Sequence, residues 1–192
     1  MSDWQQEWHG EADNVEWLDP QVPCTMRVDE RQQESSNTTT LFFERRRNSG
    51  PAHTPPDFDS CEPGQFMMLW LPGIGEKPYA LSYLDGSRVG VTVMERGPFS
   101  RKLSSLEPGD AVGFRGPYGR GFWGVARNGP SAAIGGGCGM AALALLKDRS
   151  PGCMVVQGAP TEDQVLWQER FPHQRIYTED GSCGEKGLPT EW

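Results

Sequence analysis

The sequence predicts an all-β barrel followed by a partial α/β unit built on a parallel sheet, and three observations predict it. Between Cys24 and Arg127, short β-type runs alternate with strong turn formers. After Asn128-Gly129-Pro130 the pattern becomes strand, glycine-rich turn, helix, strand, helix, strand, which implies parallel strands joined by crossovers. The composition suits this plan, with 24 Gly, 16 Pro and only 36% hydrophobic residues among 192. That length holds one good-sized domain or two small ones.

Residues 1–22 carry six acids, no Lys or Arg, and Trp4, Trp8 and Trp17. They read as an acidic tail, either a disordered extension or an aromatic segment that orders on a partner. The barrel, over 23–127, is expected from the runs Thr38–Phe43, Gln65–Trp70, Ala80–Tyr83, Val89–Met94 and Ala111–Phe114. Glu62-Pro63-Gly64, Asp85-Gly86 and Glu107-Pro108-Gly109-Asp110 are the turns, and the Pro-rich stretch from Asn48 to Asp59 is a surface loop. In the third segment, 128–192, strands are expected at Ala132–Ile134, Met154–Val156 and Arg175–Thr178, with a helix from Met140 to Lys147. A second helix is expected from a Thr161/Gln164 capping box to about Phe171. Three strands are few for a doubly wound nucleotide fold, so the chain is expected to end mid-domain.

The formal net charge of −8, from 26 acidic and 18 basic residues, argues against nucleic acid or an anionic membrane as the main partner. The five cysteines, Cys24, Cys61, Cys138, Cys153 and Cys183, are widely spaced and form no CxxC pair. They read as reduced thiols of a cytoplasmic protein. No stretch has the form of a secretory signal or the length of a membrane span.

The strongest local signal is Gly135-Gly136-Gly137-Cys138-Gly139-Met140, directly after a strand and opening a helix. Glycines there let the backbone approach a pyrophosphate at the helix N-terminus. The spacing is not GxGxxG, so tight strand-to-helix packing is the other reading. Cys138 and Cys183 are read as small buried turn residues rather than redox thiols.

Four further segments frame this turn. Glu76-Lys77-Pro78-Tyr79-Ala80-Leu81-Ser82, Gly97-Pro98-Phe99-Ser100-Arg101-Lys102-Leu103 and Gly116-Pro117-Tyr118-Gly119-Arg120-Gly121-Phe122 precede it, and Thr178-Glu179-Asp180-Gly181-Ser182-Cys183-Gly184-Glu185-Lys186-Gly187 follows. On these residues, in this order, the chain from about Cys24 onward resembles the electron-transfer subunit of dihydroorotate dehydrogenase, in the ferredoxin reductase-like superfamily. The resemblance implies FAD on the barrel, NAD(H) on the second unit, a 2Fe-2S cluster, and a dihydroorotate dehydrogenase catalytic subunit as partner in pyrimidine biosynthesis. A related subunit serving a sulfide dehydrogenase or hydrogenase, and a truncated non-catalytic flavin-binding module, are the alternatives.

Carried over by position, the resemblance assigns Lys77, Pro78, Tyr79 and Ala80 to the flavin strand, with Ser82 as a substitute hydroxyl because Ala80 stands where relatives have Ser or Thr. Lys77 keeps the charge of an arginine without its bidentate fork. Gly97, Phe99, Ser100 and Arg101 would receive the FAD pyrophosphate, with Lys102 adding charge, and Arg120 would lie beside the flavin. Gly135, Gly136, Gly137, Gly139 and Asp180 would line the dinucleotide cleft. Pro160 follows Gly158-Ala159 where relatives carry arginine, which favours NADH over NADPH. The family's clustered cysteine ligands have no counterpart among the five cysteines here, so no cluster and no metal site is expected.

Overall fold

The computed structural model describes residues 23–44, 58–122 and 130–191; the acidic tail and most of the Pro-rich stretch lie outside them. Six strands close a barrel: β1 (Cys24–Ser35), β2 (Thr38–Glu44), β3 (Phe66–Leu71), β4 (Gly75–Leu84), β5 (Arg88–Met94) and β6 (Ala111–Tyr118). They run in the order β1-β2-β5-β4-β3-β6, and every neighbouring pair is antiparallel. Closure gives every strand two neighbours. A short helix, α1 (Pro98–Ser104), connects β5 to β6.

The sequence pattern predicts five barrel strands, and β1 is the sixth. Its first half alternates Cys24, Met26 and Val28 inward with Thr25, Arg27 and Asp29 outward. Its second half is polar and mostly exposed because it runs beyond its pairing with β6 and pairs with β2 alone, while β2 also pairs with β5. In β2, by contrast, Thr38 to Phe43 are all buried. Leu41 and Phe43 join the barrel core, and the other face carries Thr40, whose hydroxyl meets Thr92 at 2.8 Å, which meets Ser82 at 2.6 Å. Phe43 and Phe114 meet edge to face at 4.8 Å, with Phe58 against Phe114.

A four-stranded parallel sheet follows, ordered β10-β9-β8-β7: β7 (Ala132–Gly136), β8 (Met154–Ala159), β9 (Arg175–Thr178) and β10 (Glu185–Lys186). The two-residue β10 is a fourth strand where three were expected. Helix α2 (Gly139–Arg149) crosses from β7 to β8 and packs against β4, with Leu145 reaching the barrel core and Met140, Ala141 and Ala144 facing the sheet side. One helix therefore belongs to both hydrophobic cores.

The helix expected from Thr161 to Phe171 is absent. A single turn of 3₁₀ helix covers Glu162–Gln164, and Trp167 has φ +56°. Thr161 gives its hydroxyl to Asp163 instead of capping a helix. The buried Gln157 amide takes both backbone groups of Leu166, accepting from its N–H at 3.2 Å and donating to its carbonyl at 3.4 Å. With those groups satisfied from the sheet, and Val165, Leu166 and Trp167 all buried in succession, a one-sided helix has no advantage. Cys138 is exposed and Cys183 half-buried, so Cys138 is not the buried turn residue expected. No helix among the described residues is long and apolar enough to cross a membrane.

On the barrel flank the Arg115 guanidinium grips Glu76, with Nε donating at 2.7 Å, and this holds the Glu76 carboxyl below its ordinary range. A folded-state value below the unfolded one means that the pair stabilises the protein above the unfolded carboxylate range and stops doing so as pH falls through the folded value. Glu76→Gln is expected to lower stability at pH 7 by under about 1 kcal/mol, since the pair is solvent-accessible. The gap between urea midpoints of variant and parent should close on acidification.

Candidate functional site

The carboxyl ends of β7 and β8 open into a cleft of about 250 Å³ between sheet and barrel. Met94 at the end of β5 and Arg96 just past it form its barrel side. Gly136, Gly137 and Cys138 form its floor, with Gly158, Ala159, Pro160, Gln164 and Glu179 around the sheet side. Gly187, Leu188 and Pro189 cross the end of the strands and complete the wall. In an open parallel sheet this is where ligands bind.

The glycines of the turn have different reasons to be glycine. Gly137 adopts φ +51°, a left-handed conformation that side chains disfavour. A Cβ on Gly135 would meet Leu143 and Met140, both at 2.9 Å, so this residue lets α2 sit close on β7. Gly136 and Gly139 are exposed, and a Cβ on Gly139 would meet nothing within 4 Å. Helix α2 has no acid in its first turn and carries Lys147 and Arg149 in its last. Its positive N-terminal end at the cleft is therefore uncompensated and suited to an anion.

Beside the cleft, β4 presents its first half outward. Lys77 and Pro78 are exposed, and Tyr79 and Ala80 are half-buried. Tyr79 packs near-parallel against Phe99 of α1 at 6.2 Å. Burial pushes its phenol above the ordinary range, and the neighbouring Cys138 adds to the shift. β4 and α1, far apart in sequence, thus meet at one aromatic ring, and α2, which the glycine-rich turn opens, packs against β4.

Other expected residues are placed differently. Ser82 is fully buried, its hydroxyl held by Thr92 and by the Gly90 carbonyl at 3.2 Å, so it cannot serve as a flavin-facing hydroxyl. Ser100 is also buried; its Oγ accepts from the N–H groups of Arg96 at 2.8 Å and Gly97 at 2.9 Å, which caps α1 from within. Arg101 and Lys102 remain exposed on that helix. Arg120 is exposed in the loop that Gln65 holds through the Gly119 carbonyl, and it does not line the cleft. Asp180 turns its carboxylate onto Ser182, accepting from its N–H at 2.9 Å and its hydroxyl at 2.6 Å, which holds it below the ordinary carboxylate range. The preceding Glu179 is the acid that lines the cleft. Arg96, Gln164 and Glu179 were not read from sequence; Glu179 lay within a quoted motif and Arg96 directly before one.

No family model matches the chain. A protein of Thermoplasma acidophilum named as a probable NAD(+)-type dihydroorotate dehydrogenase B electron transfer subunit is 41% identical over 133 residues, 68% of this chain and 51% of that protein. A Thermococcus kodakarensis protein of the same name is 40% identical over 136 residues, 67% of this chain and 56% of its own length. Over these residues the chain is similar to those electron-transfer subunits. It spans about half the length of the curated relatives it matches. Among solved structures, an NADH-dependent reduced ferredoxin-NADP oxidoreductase superposes with a TM-score of 0.71 at 21% identity, covering 86% of this chain and 60% of that one. Phthalate dioxygenase reductase superposes with a TM-score of 0.68 at 13% identity, covering 83% and 52%. The fold is ferredoxin reductase-like: a six-stranded barrel followed by a parallel sheet.

Proposed function

We propose that the chain is the FAD-binding part of an electron-transfer subunit that passes electrons between a dihydroorotate dehydrogenase catalytic subunit and NAD, in a cytoplasmic hetero-oligomer. The observation that carries this reading is the meeting of β4 and α1 at Tyr79, beside an anion-suited cleft at the glycine-rich turn that opens α2 against β4. The homologues' names supply the partner and the reaction. We assign 23–127 to FAD and 128–192 to the nicotinamide nucleotide.

Exposed Pro78 and half-buried Tyr79 and Ala80 form the stretch of β4 that would meet a planar ring system, and Lys77 and Arg101 are exposed cations on β4 and α1. Gly136 and Gly137 admit a pyrophosphate to the N-terminal end of α2. Bound flavin supplies the hydride and single-electron chemistry; the chain holds and orients it and limits water at the cleft. The described cysteines do not fit an iron–sulfur cluster: Cys24, Cys61 and Cys153 are buried in core packing, and no group of three ligand-type side chains converges among the described residues. All five are free thiols, which suits a reducing compartment.

Purified chain should hold FAD and be reduced by NADH under anaerobic conditions; colourless protein that takes up no added FAD would sink the reading. Lys77→Ala and Arg101→Ala are each expected to weaken FAD affinity about tenfold, the loss of one charge-assisted hydrogen bond. Fluorescence titration of FAD measures this, and unchanged affinity removes the residue from the assignment.

A further inference from the structure

Arg170 is a largely buried cation outside the cleft that joins the two halves of the protein. Its Nη2 donates to the Ser82 carbonyl on β4 at 2.7 Å and to the Asp148 carboxylate near the end of α2 at 2.6 Å. Its guanidinium carbon lies 3.7 Å from the Tyr83 ring centroid, 5.0 Å from that of Trp167 and 5.1 Å from that of Phe171. Tyr83 belongs to the barrel; Trp167 and Phe171 belong to the segment between β8 and β9. The side chain is 16% exposed, and Nη1 has no hydrogen-bond partner. Ring faces hold that side of the ion, which a planar, weakly hydrated guanidinium tolerates better than a strongly hydrated ammonium.

The position of this contact matters more than its strength. Ser82 lies about 10 Å along β4 from Tyr79, and Asp148 about 15 Å along α2 from Cys138. Helix α2 packs along β4, the glycine-rich turn opens the helix at the cleft, and Arg170 ties Asp148 near its other end to Ser82. Between them Leu145 enters the barrel core. The distance from the glycine-rich turn to Tyr79 is therefore fixed by where α2 is pinned against β4. Sliding the helix along the strand would move the nucleotide cleft relative to the face of β4 assigned to flavin.

We infer that Arg170 is a positioning residue for the transfer of reducing equivalents across this junction: it sets the register of α2 on β4 and touches neither ligand. This rests on the flavin and nucleotide reading above. Misplacement of reacting groups by about 1 Å can slow a reaction about a hundredfold, so a released tether should appear in rate before it appears in binding.

The test is stopped-flow reduction of the FAD-loaded chain by saturating NADH, together with amide hydrogen exchange of the flavin-free chain. Arg170→Met is expected to slow reduction about tenfold or more while FAD and NADH affinities stay within about twofold. Exchange in α2 and around Trp167 should speed up, and Arg170→Lys should recover part of both. Reduction at the parental rate overturns the inference; so does a loss of FAD affinity that accounts for the whole loss of rate. If the parent binds no FAD or ignores NADH, the functional reading fails, and exchange alone decides the tether: unchanged exchange overturns it. Should Arg170→Met not fold, Asp148→Asn keeps the Ser82 bond at a part-exposed site. It is expected to slow reduction about threefold with faster exchange in α2, and no change in either overturns the inference.

Discussion

Gly136→Asp is expected to lower kcat/KM for NADH-driven dye reduction by about a hundredfold or more, equivalent to about 2.7 kcal/mol, with FAD affinity unchanged. Residue 136 is exposed at the end of β7 and lines the cleft, and a Cβ there would meet only the Gly158 carbonyl oxygen, at 3.6 Å. The fold therefore accepts the side chain. A carboxylate at this position sits against the positive end of α2, where the dinucleotide pyrophosphate is proposed to lie, and so opposes the ligand by occupancy and by like charge. Gly86→Asp adds the same charge in a turn with nothing within 4 Å of the new Cβ and serves as the control. Equal activity of the two variants would remove the glycine-rich turn from the nucleotide site. Gly135→Asp would be a poorer probe, because its Cβ collides with Leu143 and Met140 and a folding defect would hide the binding defect.

The contrast between these neighbouring glycines shows what sequence can and cannot disclose. A glycine-rich turn between an apolar strand and a helix is a local pattern, and β7, α2 and β8 follow from it because each element's signal lies within its own residues. Strand β1 was harder to read because only its first half faces a core. The segment after Thr161 misled because its capping signal is genuine in sequence, while the decisive partner of Leu166 is the Gln157 amide on a different strand. The cleft shows the same limit. Arg96 and Glu179 face one another's side of it from the ends of β5 and β9, and no spacing rule links them. The resemblance places Asp180 at the cleft, while Glu179 beside it lines the cleft, and only the turn geometry shows that Asp180 is engaged by Ser182.

Phe114→Ala is expected to destabilise the chain by about 3–5 kcal/mol, a large part of the 5–15 kcal/mol typical of a whole domain. Phe114 is fully buried on β6, the strand that closes the barrel by pairing with β1 at Cys24 and with β3 at Leu69. Its ring makes edge-to-face contacts with Phe43 at 4.8 Å and Phe58 at 6.5 Å, so truncation leaves a cavity and also removes two aromatic pairings. A closed barrel collapses poorly around such a void, because every strand is held by two neighbours. Urea unfolding should show a lower midpoint at an unchanged slope, and a loss below about 1 kcal/mol would mean that the core relaxes to fill the space. FAD sharpens the test. A ligand at about 100 times its dissociation constant adds about 2.7 kcal/mol to any state that binds it. If Phe114 acts only through packing, FAD should raise parent and variant equally and leave the gap between them intact. A gap that widens with FAD would show that barrel closure by Phe114 also shapes the flavin-binding face of β4.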